Sequence, residues 1–543
     1  MSAFKTSLLV RSVFRHSMMI CMLIYATNMY AQKNVSEGVY PIESSRQLFI
    51  DNILIEKVTG KGILLLHHPV PRNVVLEADE GWEGNGTNYV TVFKDGDRYR
   101  MYYRAGHYSY IGGKDRPNRK DIYCYAESMD GIYWKKPVLE IINWGGSFKN
   151  NIILDSIGNH AFSPFLDGNP DCSPDAKYKA LGWGGGEHGL YAFKSSDGIH
   201  WTLMNENPVI TKGAFDSQNL AFWDTEKKEY RCYVRDFRNK TKGSVNLINA
   251  SIDAGRDIRT AASKDFIHWT EPKFVSYEAN TDPGGTVPDK KSRSKDYPAG
   301  RVSELYTNQV IPYYRSPGLF IGFPTRYVDK GWTTSAKLLP RFDYRQTRAA
   351  DSRREGTAIT EGMIMSSRNG DHFNIWPEAF LRPGLRKYDT WFYGDMYQNW
   401  GLAETPSDIE DAPAEISMYA TEKTLQETGV RIRRYTIRID GFVSLHAPLA
   451  GGELITKPFT FNGSNLSLNV STSAAGSVKV EIQQPDGKAI PGFFLDDCEE
   501  IYGDDLDRQV IWKPGADLAK LQGIAVRLRI AVKDGDVYSF IFK

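Results

Sequence analysis

Cysteine is scarce here and has no pattern. The 543 residues carry five, none in a Cys-x-x-Cys or similar spacing, so a cysteine-based metal motif is excluded. Cys124 and Cys232 sit in strand-like runs and read as small buried hydrophobes. Together with Cys172 and Cys498 they allow one disulfide after export, with no assignable pairing. Net charge is as scarce, with 67 Lys and Arg against 66 Asp and Glu, so nothing global draws the chain to nucleic acid. Long apolar runs are missing too. The stretch from Met18 to Tyr25 is too short to span a bilayer. It follows Lys5, Arg11 and Arg15 and leads to a small-residue site at Tyr30-Ala31-Gln32. That is the pattern of a secretory signal over residues 1–31. The chain is therefore expected to be exported, periplasmic or extracellular, with no permanent membrane span after cleavage.

What the sequence does have is aromatic residues, with 30 Tyr, 26 Phe and 12 Trp. A sheet protein needs most of them for packing, and flat rings also stack on sugar faces. Four segments share one phrase. They are Glu127-Ser-Met-Asp-Gly-Ile-Tyr-Trp134, Ser195-Ser-Asp-Gly-Ile-His-Trp201, Ala262-Ser-Lys-Asp-Phe-Ile-His-Trp269 and, more loosely, Ser366-Ser-Arg-Asn-Gly-Asp-His-Phe373. Each follows a run rich in Tyr, Val and Phe. Strand, tight turn and strand is a hairpin, and its repetition at long intervals predicts the outer hairpins of β-propeller blades.

The spacing predicts an all-β chain: an N-terminal segment over 32–86, a five-bladed β-propeller over 87–445 and a C-terminal antiparallel β-sandwich over 451–543. Blades are expected to begin near Thr87, His160, Asp216, Glu304 and Trp391. Beyond Gly451 the chain alternates strictly, as in Leu466-Ser-Leu-Asn-Val470 and Val526-Arg-Leu-Arg-Ile530, with turns expected at Asp486-Gly487 and Asp534-Gly535. This pattern is that of a sandwich, expected to be structural rather than catalytic. Two long polar segments interrupt the propeller, from Asn280 to Pro298 and from Lys337 to Glu355. They read as solvated loops or, through Arg341, Arg345, Arg348, Arg353 and Arg354, as a cationic rim for an acidic or sulfated sugar.

The innermost strand of each blade faces the axis, where a charge is costly unless satisfied or used. Acids stand where inner strands begin: Glu83, Asp167, Asp216, Glu304 and Asp395. Paired carboxylates are the usual machinery of glycosidic hydrolysis, one protonated and one ionised. Asp216, Glu304 and Glu83 are the catalytic candidates. Glu304 is read as the acid, raised by Leu305 and Tyr306 beside it, and Asp216 as base, nucleophile or anchor. Asp167 and Asp395 are candidate substrate contacts, as are Arg104, Arg235 and Arg326 at strand ends. Trp183, Tyr306 and Trp391 are candidate sugar platforms. No cofactor is expected. A structural Ca²⁺ on the axis would leave no compact signature, because its ligands are oxygens.

With these hairpins, the Asp216-Ser-Gln-Asn219 stretch and the closing Arg434-Tyr-Thr-Ile-Arg-Ile-Asp-Gly-Phe442, the chain resembles the five-bladed propeller glycoside hydrolases of families 32 and 43, with a C-terminal sandwich as in family 32. The resemblance implies a base or nucleophile from the first blade, a tuning or binding Asp from the second or third, and an acidic Glu further on. The family 32 Asn-Asp-Pro-Asn-Gly opening and its Arg-Asp-Pro and Glu-Cys motifs are absent, so the role of each acid stays open.

The leading functional expectation is a secreted glycoside hydrolase acting on a plant or algal oligo- or polysaccharide. A second is a propeller that binds glycans without cleaving them. A third is a sialidase-like or lyase-like propeller, since the hairpins are similar to sialidase Asp-boxes, although here Gly follows Asp directly. A sialidase would need an arginine cluster and a tyrosine nucleophile, which the sequence does not place.

Overall fold

The computed structural model describes residues 38–111, 114–185, 189–238, 255–279, 304–351, 353–426 and 429–543. The expected signal segment and the insert from Asn280 to Pro298 lie outside the described residues. The chain divides into two units, one of residues 48–51 and 64–444, the other of 445–543 with 52–63 and the stretch before 48.

The larger unit is a ring of five blades, each built on antiparallel pairing. Blade I pairs Asn88–Asp95, Arg98–Ile111, Lys114–Ser128 and Ile152–Leu154 in that order. Blade II pairs Phe162–Leu166, Tyr178–Trp183, Leu190–Ser195 and Thr202–Leu203, and blade III pairs Leu220–Asp224, Glu229–Arg238, Gly255–Ser263 and Lys273–Phe274. Blade IV is broken along its length into two short sheets. Glu304–Leu305, Thr325–Asp329 and Ala358–Gly362 form one; Ile311–Pro312, Phe320–Gly322, Met365–Ser367 and His372–Ile375 form the other, which takes Ser276–Ala279 as a fifth, parallel strand. Blade V pairs Ala403–Thr405, Glu415–Glu422 and Arg431–Ile437, and its outermost strand is Val70–Glu77. Residues 64–86 therefore do more than lead into the propeller, because they supply the strand that closes it.

The repeated phrase is the turn from third to fourth strand in each of the first four blades. In blade I the Ser128 hydroxyl accepts from the Gly131 N–H at 2.9 Å, Asp130 Oδ1 accepts from the N–H groups of Ile132 and Tyr133 at 2.8 and 2.9 Å, and Trp134 Nε1 donates to the Gly131 carbonyl at 3.1 Å. The same bonds recur around Ser195, Asp197 and Trp201 and around Ser263, Asp265 and Trp269. Ser367 and Asn369 repeat the backbone part in blade IV. The turn works because short oxygens replace strand partners for N–H groups that the bend leaves over. Blade V has no such phrase, since its fourth strand is not the next one in the chain.

The turn demands a positive φ at its fourth position. Gly131, Gly198 and Gly370 supply it at 73°, 78° and 78°, but in blade III Phe266 stands there at 70°. Its ring is fully buried among Phe165, Tyr230 and Trp269, so packing offsets a backbone state that costs a side chain about 1–2 kcal/mol.

In the smaller unit, two long strands, Leu466–Gln483 and Arg527–Phe542, pair along most of their length and curl with the strands beside them into one antiparallel sheet. Leu468, Val480, Leu528, Ile530, Phe540 and Phe542 fill its core. Asp534-Gly535 is not a turn, as the alternation suggested, but an irregularity inside the second long strand, with Asp534 at φ 42°.

The insert from Lys337 to Glu355 is largely helical, not a solvated loop, with helices at Thr334–Lys337, Phe342–Asp351 and Arg353–Thr357. Arg345 and Arg348 point inward and are buried. Arg345 donates to the carbonyls of Pro340 and Trp391, and Arg348 pairs with Glu355 at 3.3 Å. Neither is a rim charge.

Replacing Phe266 tests the balance at the blade III turn. Phe266→Ala is expected to destabilise the propeller by about 3–5 kcal/mol, as loss of a buried phenyl ring does. Phe266→Gly should cost about 1 kcal/mol less than Ala, because glycine adopts the positive φ freely. Denaturant melts of both variants check the order; an alanine variant more stable than the glycine variant would contradict it.

Candidate functional site

In an antiparallel blade the start of the first strand, the end of the second and the start of the third lie at one end. At that end of the ring, side chains from all five blades come together. Blade I gives Tyr89, Arg104, midway along the second strand opposite Asn88, and Asp121, midway along the third beside it. Blade II gives His160 and Trp183. Blade III gives Asp216, Arg235 and Arg256, blade IV gives Glu304, Tyr306, Tyr327 and Arg354, and blade V gives Tyr393 and Tyr397.

The charges occur in neighbouring pairs. The Arg104 guanidinium stacks 4.7 Å over the Tyr89 ring and donates to the Gly86 carbonyl at 3.1 Å. His160 Nδ1 is 2.6 Å from Asp121 Oδ2, and Arg104 Nη1 is 3.1 Å from His160 Nε2. This geometry assigns the proton to Nδ1, donated to Asp121, and leaves Nε2 an acceptor. Burial pulls the His160 pKa below its ordinary value, and Arg104 adds to that against the pull of Asp121. Burial alone would raise the Asp121 carboxyl, but Arg104, His160 and the Tyr108 hydroxyl outweigh it and hold it low.

Asp216 forms an ion pair with Arg235, and its main-chain carbonyl accepts from the Tyr89 hydroxyl at 2.9 Å. The Asp216 side chain keeps 30% of its surface exposed, against 2% for Arg235, so it is the partner that a ligand can reach. Glu304 accepts from Arg256 Nη1 and Arg354 Nη2, both at 2.6 Å, and from the Arg256 N–H at 3.0 Å. It therefore sits between two guanidiniums, not in the apolar surroundings expected from Leu305 and Tyr306. Leu305 faces away because strand side chains alternate.

Tyr306 lies in the middle. The guanidiniums of Arg235 and Arg256 stand 5.3 and 5.0 Å from its ring centroid. The Tyr393 hydroxyl donates to its oxygen at 3.4 Å, and the rings of Tyr397 and Tyr327 pack against it at 5.4 and 6.3 Å. Burial would raise the Tyr306 pKa, but the two guanidiniums outweigh it and bring the phenol below its usual range. Tyr89, Tyr393 and Tyr397 go the other way, raised by burial.

Of the sequence candidates, the structure brings Asp216, Glu304, Arg104, Arg235, Tyr306 and Trp183 to this end of the ring; the Trp183 ring meets His160 edge-on at 5.1 Å. The others lie elsewhere. Glu83 is fully buried, and its carboxylate accepts from the Tyr103 hydroxyl at 2.6 Å, Lys136 Nζ at 2.7 Å and the Glu80 N–H at 2.9 Å. Tyr103 neighbours Arg104 on its strand and so faces the opposite side. Asp167 is at the far end of the blade II inner strand, tied to Lys179 and to the Tyr230 hydroxyl. Arg326 neighbours Tyr327 and points outward, to Glu361 and the Pro377 carbonyl.

Asp395 and Trp391 line a separate cavity of about 490 Å³ with His68, Glu422, Arg433 and Tyr435. Burial pushes the Asp395 carboxyl up to about 7, against the N–H groups of Thr424 and Phe392 and the charge of Arg348. Among the described residues no three His, Cys, Asp or Glu side chains stand close enough to share a metal ion. Cys124, Cys172, Cys232 and Cys498 are all free thiols.

Asp121, His160, Arg256 and the tyrosines besides Tyr306 escaped the sequence reading, and Arg354 entered it only as one arginine of a cationic rim. Asp121 and Arg256 lie on third strands, near the level of Arg104 and Arg235 on the second strands. Scanning that position as well would have found both.

The raised Asp395 has a consequence for stability. A carboxyl whose folded pKa lies above its unfolded value near 3.9 favours the folded state fully only below that value. As pH rises from about 4 through about 7, that contribution is lost. Asp395→Asn should remove this component, so that its melting temperature falls less than that of the parent over the interval. Thermal melts at several pH values check the slope; parallel curves would mean that Asp395 is not the group responsible.

No family model matches the chain, and no curated protein does. Solved structures do resemble it. A structure of a BT0996 complex with RGII matches at a TM-score of 0.41 and 12% identity, over 69% of this protein and 93% of that one. A thermostable family-43 glycoside hydrolase matches at 0.36 and 12%, over 67% and 93%. A fructofuranosidase from Schwanniomyces occidentalis matches at 0.33 and 11%, over 86% and 96%. At these values the likeness assigns no residue a role and carries no argument about activity.

Proposed function

We propose that this protein is an exported enzyme that hydrolyses glycosidic bonds of a plant or algal oligo- or polysaccharide. The observation that carries the reading is the convergence of Asp216 and Glu304 at one end of the ring, beside a wall of tyrosines and Trp183. Asp216 is the ionised carboxylate that activates water or attacks the anomeric carbon, kept charged by Arg235 and open to a ligand. Glu304 is the second carboxylate, positioned by Arg256 and Arg354. Trp183 offers a face for the sugar ring. The basic and apolar N-terminal pattern supports export.

The arginine and tyrosine cluster favours a second reading, a sialidase-like or lyase-like propeller in which Tyr306 takes part. Lyase action leaves an unsaturated sugar, so ultraviolet absorbance of the products separates it from hydrolysis.

A panel of aryl glycosides and natural oligosaccharides tests the proposal. Asp216→Gly and Glu304→Gln should each lower kcat by about a hundredfold or more, the lower range for lost acid–base catalysis. Removing Asp216 also strands the buried Arg235 charge, a cost of about 3–5 kcal/mol, so folding must be followed by circular dichroism. Azide or formate should restore part of the turnover of Asp216→Gly, which a purely structural role would not allow. Near-normal turnover in either variant removes that residue from the mechanism, and sugar binding without turnover by the parent favours a lectin.

A further inference from the structure

The tyrosine and arginine cluster has more donors than acceptors. Among the described residues, four guanidiniums meet three carboxylates there: Arg104 with Asp121, Arg235 with Asp216, and both Arg256 and Arg354 on Glu304 alone. The hydroxyls are equally lopsided. Tyr89 donates to the Asp216 carbonyl and Tyr393 to the Tyr306 oxygen. Among the described residues the Tyr397 hydroxyl, on a residue 4% exposed, has no acceptor in range, and Arg256 Nε has none either. A buried donor left without a partner costs about 1–3 kcal/mol, and such groups call for an occupant. A single water would answer one of them but not the surplus of positive charge. The depressed Tyr306 pKa has the same origin, since two guanidiniums favour negative charge on the phenol oxygen.

We propose that this cluster is a subsite for an anionic oxygen group carried by the sugar, a carboxylate or a sulfate ester, held by the Tyr397 and Tyr306 hydroxyls and by Arg256. The inference rests on the reading that this end of the ring receives a sugar, and names the class of sugar it selects. An anion supplies acceptors for the unpartnered donors and balances the excess charge. A neutral hydroxymethyl group offers a single acceptor oxygen and leaves the charge unbalanced. The several acceptor oxygens of such a group match a ring of phenols and a guanidinium edge.

The test uses monosaccharides, which contain no glycosidic bond and so report binding apart from hydrolysis. Glucuronate, galacturonate, galactose 6-sulfate, glucose and galactose are titrated into the full protein at constant ionic strength, followed by saturation-transfer NMR and calorimetry. At least one anionic sugar is expected to bind about tenfold or more tighter than its neutral counterpart, and the arms tell carboxylate from sulfate. Tyr397→Phe keeps the ring and should weaken the anionic sugar about tenfold while leaving the neutral one unchanged. Arg326→Gln, which removes a positive charge outside the cluster, should change neither. Equal binding of neutral and anionic sugars, or an unaltered preference in Tyr397→Phe, overturns the subsite while the hydrolase reading stands. A preference for the anionic sugar with no turnover of any glycoside keeps the subsite and removes the hydrolase. No binding of any sugar overturns both.

Discussion

Everything at the candidate site depends on one antiparallel pairing, that of Val70–Glu77 with Arg431–Ile437. A ring of twisted sheets brings five inner strands to one axis only if it is closed, and an unclosed one presents bare strand edges. The seam is reinforced by side chains. Arg433 donates to the Arg72 carbonyl at 2.6 Å and pairs with Glu422, Arg72 donates to Thr436 at 2.9 Å and to Glu415 at 3.1 Å, and Arg431 pairs with Glu77 at 2.8 Å. These polar links sit at an outer strand, where a row of apolar contacts would be half wet.

Inside the ring the problem is the opposite one, because many charges are taken out of water. Arg235, Arg348 and Arg104 are almost wholly buried, and an isolated buried guanidinium is prohibitive. The chain meets this by pairing each with a carboxylate and laying several across tyrosine rings, where the quadrupole adds attraction. Such pairs contribute little net stability. Their value is geometric: each fixes a carboxylate in one orientation at the mouth of the ring, which suits a site that must hold a substrate in register.

The outline of the fold could be read because it rests on local chemistry. Ser, Asp and Gly at fixed offsets make a turn whatever surrounds them, so four of the blades announced themselves, and Asp216 and Glu304 followed from where inner strands begin. The closing strand did not, because nothing in Val70–Glu77 says that its partner lies some 360 residues further on. Glu83 misled for a related reason: its position suited the axis, yet strand alternation turned Tyr103, its partner, to the opposite face. The arginine-rich insert looked solvated because its composition is polar. Helices let Arg345 and Arg348 reach carbonyls and a carboxylate inside the unit, a choice that depends on distant backbone and so leaves no trace in the local sequence.

The seam also sets a schedule. Four blades can form from neighbouring segments as they appear, since each hairpin needs only nearby chain. The fifth must wait until residue 437 exists and then recruit a strand made long before, across a loop that encloses the other four blades. Until that moment the ring's first-made strand has no partner and the last blade has an open flank. The inner strands become a shared rim only when the final pairing locks, so the site is the last part of the ring to come into being.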